Sequence, residues 1–282
     1  MIFSIIVVYN PDVNVIERIN KISINSDKVL VVVNQQELLM KSELKNENIE
    51  LVIIGENIGL AKALNVGIRM CLQFNNCKYI ALFDQDSLLF NDNSLFRICN
   101  LFDQNFTEKI ALIGHETIEI KFNTHPISSN LELTEVEDNL TSGSIIPKYV
   151  FKEVGLMDEN LFIDYIDYEW CLRVKSFGYK IFVSNQNFIL HNLGDSFISI
   201  GKNKKPIHKN PIRVYYIIRN NLILLSRPYI SFRWKFNHFI KLIYRIPGYI
   251  IFSKNKINTI RIIMNAIIDY WTGRKYFKNY KY

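Results

Sequence analysis

The stretch Tyr79-Ile80-Ala81-Leu82-Phe83, followed at once by Asp84-Gln85-Asp86-Ser87, indicates the fold class of this chain. A short apolar run that ends in polar residues predicts a buried strand. Ligands of open α/β sheets collect just beyond the carboxyl ends of such strands. Two carboxylates one residue apart suit Mg²⁺ or Mn²⁺, which prefer oxygen ligands and leave coordination positions for substrate phosphates. Asp84 and Asp86 are therefore candidate ligands, although an Asp-x-Asp triplet alone also fits a solvated turn.

Apolar runs of the same kind recur on both sides of this strand, separated by segments with room for a helix. They are Ile2–Val8, Lys28–Val33, 50–54 and 110–113. A helix after residue 59 is predicted because Leu60, Leu64, Ile68 and Cys71 fall on one face. The alternation predicts an α/β fold with a mostly parallel central sheet flanked by helices. Residues 114–140 are polar and are predicted to form a long surface excursion.

The distribution of charge divides the chain. Residues 201–282 hold 18 Lys+Arg and one acid, a net charge of +17, whereas the first 200 hold 16 basic and 26 acidic residues, a net charge of −10. This asymmetry predicts an anionic partner for the C-terminal part, either lipid or nucleic acid. The four cysteines form no C-x-x-C pair and indicate reduced thiols in the cytosol. The apolar N-terminus predicts a strand and not a signal peptide, and no apolar run has the length of a membrane span.

The C-terminal part also changes in texture. Residues 201–206 predict a basic hinge or mobile loop, and Pro211 can open a helix. Two amphipathic faces are predicted, one formed by Tyr215, Ile218, Leu222 and Leu225 and the other by Ile260, Ile263, Ile267 and Trp271. We therefore predict a nucleotide-binding domain over residues 1–205 and a basic helical appendage over residues 206–282.

Polar residues also follow the first three strands. Tyr9 and Asn10 come after the first strand, and Asn34 after the second, where its amide can read a nucleobase edge. After the third strand, Gly59 allows close backbone approach and Ala61 leaves space at the start of a helix. Because helix N-termini favour anions, this segment can line a nucleotide diphosphate. The same small residues also fit plain packing of a helix on the sheet. Neither a phosphate loop ending in Gly-Lys-Ser/Thr nor a G-x-G-x-x-G turn is present.

A second acidic cluster lies further along the chain. Asp164 can cap a helix that begins near Tyr165, and Glu169 can pair with Arg173 one helical turn later. These structural roles leave Asp167 available as a general base, with a pKa raised by its aromatic surroundings. His191 follows another apolar run, where a third metal ligand, a diphosphate contact and a structural role are all open.

Taken in order, these motifs resemble the family 2 glycosyltransferases of GT-A fold, particularly the rhamnosyltransferase branch. The matching segments are 8–11, 57–61 with Asn65, 84–87, 141–143, 155–158, 164–173 and 191–194, so that the resemblance covers about residues 1–230. It implies a metal-dependent, inverting transfer of a sugar from a nucleotide diphosphate donor. The donor half is expected over about residues 1–115 and the acceptor half over about 116–205.

The resemblance also implies roles for individual residues. Asp86 and His191 are expected to bind Mg²⁺ or Mn²⁺, and Asp84 the donor ribose or the metal shell. The expected donor-binding residues are Tyr9, Asn10, Asn34, Asn57, Gly59, Ala61, Asn65, Asp84 and Gln85, and the expected acceptor-binding residues are Ser142, Gly143 and Trp170. Asp167 matches the catalytic carboxylate of the family, but Ile166 stands where relatives usually carry Glu. Asn34 likewise replaces the Asp of many relatives. The choice of base between Asp167 and Asp164 therefore stays open.

The amino-acid sequences of the two acidic motifs, residues 84–86 and 164–170, are similar to those of enzymes that use dTDP-L-rhamnose. The acceptor expected from the resemblance is a polyprenyl-diphosphate-linked oligosaccharide of O-antigen or capsule assembly. Basic and aromatic residues of the tail fit a peripheral position on the anionic inner face of the membrane: Arg233, Trp234, Lys235, Phe236, Lys241, Tyr244 and Arg245. We expect no nucleic-acid partner, and a homo-oligomer stays open. The rival interpretations are a nucleotidyltransferase that makes sugar nucleotides and a non-enzymatic basic binding module.

Overall fold

The computed structural model describes residues 1–36, 43–104, 107–119, 132–191, 196–200, 203–207 and 210–274. Its first half comprises five strands and three helices: β1 (Ile2–Val8), α1 (Val15–Ile24), β2 (Lys28–Val33), β3 (Ile49–Ile53), α2 (Leu60–Gln73), β4 (Tyr79–Asp84), β5 (Leu88–Leu89) and α3 (Ser94–Gln104). The predicted strands 2–8, 28–33, 50–54 and 79–83 match β1 to β4 to within one residue.

The second half is less regular. It comprises β6 (Ile110–Glu119), β7 (Leu133–Glu135), β8 (Ser144–Pro147), α4 (Lys148–Val154), a 3-10 turn (Glu159–Leu161), α5 (Ile166–Ser176), β9 (Lys180–His191), β10 (Ser196–Ile200), β11 (Asn203–Ile207), α6 (Pro211–Ser226), α7 (Phe232–Phe252) and α8 (Lys256–Thr272). The predicted surface excursion over 114–140 is wrong in part, because β6 continues to residue 119 and β7 lies within that range. The predicted hinge at 201–206 is wrong over 203–206, which belong to the hairpin β10–β11.

The central sheet is mixed. Its order is β3-β2-β1-β4-β8-β6-β9-β5, with β7 beside β9. Strands β3, β2, β1 and β4 are parallel, whereas β8 runs antiparallel to both of its neighbours, β4 and β6. Strands β6 and β9 pair in parallel and run in the same direction as β1 to β4, so six of the nine strands described in this sheet share one direction and the prediction of a mostly parallel sheet is confirmed. In their register Val8 pairs with Val33 and Val7 with Asp84, so the carboxyl ends of β1, β2 and β4 are level.

Both faces of the sheet are covered by helices, which explains the continuous apolar strands. All seven residues of β1 are buried. Phe3, Ile5 and Val7 join one core cluster, with residues of α2, α4 and α5. Ile2 and Ile6 join the other, with residues of α1 and α3. A strand that is buried on both sides has no need of polar residues at alternate positions.

The C-terminal helices do not stand apart from the rest of the protein. Ile217 and Leu224 of α6 lie in the same core cluster as Trp170 of α5, so the predicted appendage shares a core with the preceding domain. On α6 it is Leu224, and not the predicted Leu225, that is fully buried.

The predicted apolar face of α8 is also wrong in part. Its buried residues are Thr259, Ile262, Ile263 and Ala266, whereas Ile260 and Trp271 are exposed. Amphipathic spacing located the helix but did not determine which stripe faces inward, because apolar residues occupy both sides. None of the helices described is both long and apolar enough to cross a membrane.

Candidate active site

The carboxyl ends of β1, β2 and β4 are joined by glutamine side chains. The Gln85 amide accepts a hydrogen bond from the Tyr9 N–H at 2.7 Å and donates to the Tyr9 carbonyl at 2.9 Å. The side-chain oxygen Oε1 of Gln35 accepts a hydrogen bond from the N–H of Asn10 at 2.6 Å, and Asn10 has a positive φ of 46°. The structure thus brings together Tyr9, Asn10 and Gln85, as the sequence predicted. The contact of the Gln35 side chain with Asn10 was not predicted, because only the register of β1 and β2 shows it.

Ser142 holds the acidic turn after β4 by hydrogen bonds. Its hydroxyl accepts a hydrogen bond from the N–H of Asp84 at 3.1 Å and lies 2.5 Å from the Ser87 hydroxyl. Ser142 is buried, and the N–H of Gly143 donates to the Leu82 carbonyl at 2.8 Å. Ser142 and Gly143, which were expected to bind the acceptor substrate, therefore lie where they hold the turn that carries Asp84 and Asp86.

His115 completes this support and was missed by sequence reasoning. Its side chain is buried, with Nδ1 2.7 Å from the Gly143 carbonyl and Nε2 3.1 Å from the Ser94 hydroxyl. Burial lowers the pKa of His115 to about 4, so the ring is neutral at neutral pH. A neutral ring with Nδ1 protonated donates to the carbonyl and accepts from the hydroxyl. In the sequence, His115 is a single histidine that follows the apolar run 110–113, and this pattern is not specific for any role.

Asp167 lies in the first turn of α5, within electrostatic range of three other carboxylates. Burial, together with the charges of Asp84, Asp164 and Asp138, raises the pKa of Asp167 to about 7, although a hydrogen bond from the N–H of Tyr168 acts in the opposite direction. The side chain is only partly buried, so it can meet a ligand. The acid at the end of β4 and the acid on α5 therefore act on one another, although they lie far apart in the chain. Asp138, itself with a raised pKa, was missed in the polar excursion.

Asp164 does not cap α5 as predicted. Tyr165 occupies the N-cap position without a side-chain cap, and Asp164 has a positive φ of 63°. Its carboxylate instead accepts hydrogen bonds from Arg213 of α6, at 2.6 Å from Nη2 and 3.3 Å from Nε. Both carboxylate oxygens of Asp164 are therefore engaged by Arg213.

The predicted ion pair on α5 is present. Arg173 binds the Glu169 carboxylate at 2.8 and 2.9 Å, and Glu169 is buried. Trp170, in contrast, lies in the core, where its ring packs on Phe151 and its Nε1–H donates to the Gly155 carbonyl at 3.1 Å. With a side chain only 1% exposed, Trp170 cannot line an acceptor surface, and that expectation is corrected.

The N-terminus of α2 is closed to an anion. The N–H groups of Leu60 and Ala61 donate to the Phe162 carbonyl, at 2.6 and 3.4 Å. Gly59 is at the N-cap with φ +87°, and a Cβ there would lie 2.5 Å from the Phe162 ring. The expected diphosphate cradle of Gly59 and Ala61 is therefore corrected. The glycine admits the Phe162 side chain, and the carbonyl of Phe162 occupies the anion position.

Two predicted donor residues serve the interior. Asn34 is buried. Its side-chain N–H donates to Asn57 Oδ1 at 3.1 Å, and its side-chain oxygen accepts from the Ile58 N–H at 2.9 Å, so Asn34 shapes the loop after β3. Asn65 is 1% exposed and holds both the N–H and the carbonyl of Met157, at 3.0 and 2.9 Å. The expectation that Asn34 and Asn65 contact a nucleotide directly is therefore corrected, and both residues have a supporting role. Asn57, whose oxygen also accepts from the Gly59 N–H, lies in the same loop.

The acidic pair after β4 has the chemistry of a cation site that a ligand completes. Asp84 and Asp86 are partly buried side chains one residue apart. No group of three or more His, Cys, Asp or Glu within the described ranges is placed to hold a metal ion. Two carboxylates nevertheless fit Mg²⁺ or Mn²⁺, which commonly take one or two protein carboxylates together with substrate phosphates. His191 ends β9, and its side chain lies outside the described residues.

Helix α7 forms an aromatic wall beside Asp167. His238 is buried and stacks on Trp234, with 3.6 Å between the ring centroids. It also meets the rings of Tyr165 and Tyr168 edge-on. These contacts join α7 to the first turn of α5, where Asp167 lies.

The same wall is basic. Burial and the charges of Lys241 and Arg245 lower the pKa of His238 to about 4. Lys241 also acts on Asp138, and Arg245 on Tyr168. The site thus has an acidic sheet edge and a basic, aromatic wall.

Two surface cavities, of about 420 and 210 Å³, lie elsewhere. The lining of the first includes Lys28 and Ile49, and that of the second Tyr79 and Ile110, each of which is the first residue of a strand. Because the polar residues converge at the opposite ends of these strands, we place the site by its chemistry and not by concavity.

A curated relative covers nearly the whole chain. The sequence is 30% identical over 296 residues to dTDP-rhamnosyl transferase RfbF of Shigella flexneri, covering 95% of this chain and 94% of that protein. A search of protein-family models finds no match.

Solved structures share the fold at low identity. TarS of S. aureus, residues 1–349, superposes with a TM-score of 0.55 at 16% identity, covering 96% of this chain and 80% of that structure. In the longer TarS structure the chain spans about half of the length, at a TM-score of 0.54 and 15% identity. GalNAc-T7, solved with UDP, GalNAc and Mn²⁺, superposes with a TM-score of 0.56 at 13% identity over 84% of this chain and 55% of that one.

The topology, the converging carboxylates and the full-length relative lead to the same assignment. The chain belongs to the family 2 glycosyltransferases of GT-A fold, within their rhamnosyltransferase-like members, and is a sugar-transferring enzyme.

Proposed function

We propose that this enzyme transfers L-rhamnose from dTDP-L-rhamnose to a hydroxyl of a saccharide acceptor, with inversion at the anomeric carbon. The observation that carries the mechanism is that Asp167, in the first turn of α5, lies close enough to Asp84 at the end of β4 for the charge of Asp84 to raise the pKa of Asp167. The donor is inferred from the name of the relative, dTDP-rhamnosyl transferase, and from the two acidic motifs.

Asp167 is the proposed general base. Its carboxylate takes the proton of the acceptor hydroxyl while the hydroxyl oxygen attacks the anomeric carbon. The C–O bond to the diphosphate breaks on the opposite face, and the nucleoside diphosphate leaves with the bonding electrons. A base is most effective when its pKa is near the working pH, and a pKa of about 7 meets this condition.

We assign Asp86, with Asp84 beside it, as the ligands of Mg²⁺ or Mn²⁺. Bound there, the cation would offset charge on the diphosphate leaving group. The support lies in two hard oxygen donors at the end of β4 and in the Mn²⁺ of the GalNAc-T7 structure. His191 is retained as a candidate third ligand. Asp84 is positioned by the Ser142 hydroxyl, which fixes the backbone from which both carboxylates project.

The nucleotide is assigned to the edge formed by Tyr9, Asn10 and Gln85, with Asn57 in the neighbouring loop. The two-point bond between Gln85 and the Tyr9 backbone makes this edge rigid, and the Tyr9 side chain is 44% exposed, which leaves a ring face for a base.

We further propose a lipid-linked acceptor in cell-surface polysaccharide assembly, such as O-antigen, and a cytoplasmic enzyme that docks on the inner face of the membrane. The support is the outer surface of α7 and α8, which leaves many large apolar side chains exposed: Phe232, Phe236, Phe239, Ile240, Ile243, Tyr244, Ile251, Ile257, Ile260, Met264, Ile268 and Trp271. Lysines and arginines accompany them, with Asp269 the one acid of the segment 210–274. An anionic lipid surface suits such a face better than a second basic copy of the chain.

The test is a panel of nucleotide sugars incubated with the purified enzyme and Mn²⁺, with release of free nucleotide as the readout. We expect the enzyme to hydrolyse dTDP-L-rhamnose slowly and to transfer rhamnose faster when a saccharide acceptor is added. Transfer by Asp167→Asn should be about 10²–10⁴-fold slower. Preference for another nucleotide sugar would overturn the donor assignment. Release of pyrophosphate from dTTP and a sugar 1-phosphate would instead indicate a nucleotidyltransferase.

A further inference from the structure

The loop that leads into α5, residues 162–165, is strained. It begins after Leu161, which ends the 3-10 turn, and three of its residues, none of them glycine, have positive φ: Phe162 at 57°, Asp164 at 63° and Tyr165 at 65°. Such a conformation is unfavourable for a residue other than glycine and persists only where the surroundings hold it. Asp167 follows two residues later, so the shape of this loop determines where the proposed base lies.

One buried side chain of α6 holds this loop. Asn220 is fully buried, and its Nδ2 lies 2.7 Å from the Leu161 carbonyl, 2.8 Å from that of Ile163 and 3.0 Å from that of Asp164. A primary amide has two hydrogens, so the three carbonyls share them. The Asn220 oxygen accepts from Arg219 at 3.1 Å, which fixes the orientation of the amide.

The neighbours of Asn220 extend the same support. Arg219 donates to the Asn160 carbonyl at 2.9 Å, and Asn221 donates to the Tyr165 hydroxyl at 2.8 Å. The Phe162 carbonyl accepts from the N–H groups of Leu60 and Ala61 of α2. The carbonyls of residues 160–164 are thus all bonded by α2 or α6, and the backbone cannot relax without losing several of these bonds at once.

We propose that Asn220 is a positioning residue for sugar transfer: it holds the strained loop 162–165 in the one shape that directs Asp167 into the site. This inference rests on the proposed role of Asp167 as the base. It assigns the C-terminal helices a part in catalysis, through α6, that is separate from any docking role of α7 and α8.

The test compares Asn220→Leu, which keeps the volume but has no donor, with Asn220→Ser, which keeps one donor. We expect kcat to fall about 10- to 100-fold in Asn220→Leu and less in Asn220→Ser, the range that misplacing a catalytic group produces. The KM for dTDP-L-rhamnose should stay within about twofold, because the donor edge at β1 and β4 is untouched. The matched control is Asn25→Ala, which removes another buried asparagine, at the end of α1.

Amide hydrogen exchange of residues 160–167 provides a readout that needs no substrate. Exchange should accelerate there in Asn220→Leu and stay unchanged in Asn25→Ala. Normal kcat together with unchanged exchange in Asn220→Leu would overturn the inference. A wild-type enzyme that is inactive with every nucleotide sugar, but whose loop loses protection in Asn220→Leu, would overturn the proposed function alone. Equal losses of kcat and thermal stability in Asn220→Leu and Asn25→Ala would show a general folding defect and would also overturn the inference.

Discussion

Asp167 gives the sharpest expectation for pH. Because its pKa is raised to about 7 by burial and by the charges of Asp84, Asp164 and Asp138, the base is protonated below neutrality. We expect kcat/KM to fall about tenfold per pH unit below about pH 7. Asp167→Asn should lower kcat by about 10²–10⁴-fold with donor affinity retained. A wild-type profile that stays flat from about pH 5 to about pH 7 would contradict the assignment.

The Asp167 carboxyl should also lower the free energy of unfolding at high pH. Its folded pKa lies above its ordinary value of 3.8, so the folded state binds the proton more tightly than the unfolded state does. The free energy of unfolding therefore decreases as pH rises from about 4 to about 7. Asp167→Asn should remove this dependence and raise the Tm at pH above about 8 by about 2–4 °C, measured by calorimetry. A lower Tm of the variant at high pH would contradict the direction of the shift.

Asp86 gives an expectation for metal. Asp86→Asn removes one of two hard oxygen donors after β4, so binding of dTDP should lose its enhancement by Mn²⁺ while binding without Mn²⁺ changes little. Calorimetric titration with and without Mn²⁺ measures both. Asp92→Asn, a change of an exposed carboxylate further along the same segment, is the control. Equal enhancement by Mn²⁺ in Asp86→Asn would reject Asp86 as a ligand.

The junction between β3 and α2 depends on two glycines with the same φ of +87° but different surroundings. A Cβ on Gly59 would lie 2.5 Å from the Phe162 ring, whereas a Cβ on Gly55 would meet nothing within 4 Å. Gly55→Ala should therefore cost about 1 kcal/mol from backbone strain, and Gly59→Ala about 3 kcal/mol or more, since it also displaces Phe162. Chemical denaturation measures both. Equal losses would show that contact with Phe162 is unimportant.

The proposed docking on a membrane depends on the exposed surface of α7 and α8 as a whole. Phe236, Phe239 and Ile243 lie on the outer side of α7 and are each at least half exposed. Replacing the three by Ser should abolish co-sedimentation with phosphatidylglycerol vesicles and leave the Tm unchanged. Binding of the wild type should weaken as salt shortens the Debye length from about 10 Å to about 3 Å. Ile24→Ser, a change of an exposed apolar residue on α1, is the control. Self-association without vesicle binding would indicate a homo-oligomer instead.

The sequence by itself determined the parallel half of the sheet. Strands β1, β2, β3 and β4 were predicted to within a residue because each is an apolar run rich in β-forming residues, and β1, β2 and β4 are buried over nearly their whole length, as strands covered on both faces are. It also determined the ion pair of Glu169 and Arg173, which are one helical turn apart, and the edge where Tyr9, Asn10 and Gln85 meet, since parallel strands end at one side of a sheet.

The tertiary structure alone decided which polar residues can reach a ligand. The pairing of Asp164 with Arg213, the closure of α2 by Phe162 and the clamp of Asn220 on the loop before α5 each join residues that are distant in the chain. Local spacing carries no information about such partners. Trp170 and Asn65 match family motifs yet lie in the interior, because a residue that supports a site from within leaves the same sequence pattern as one that touches the substrate.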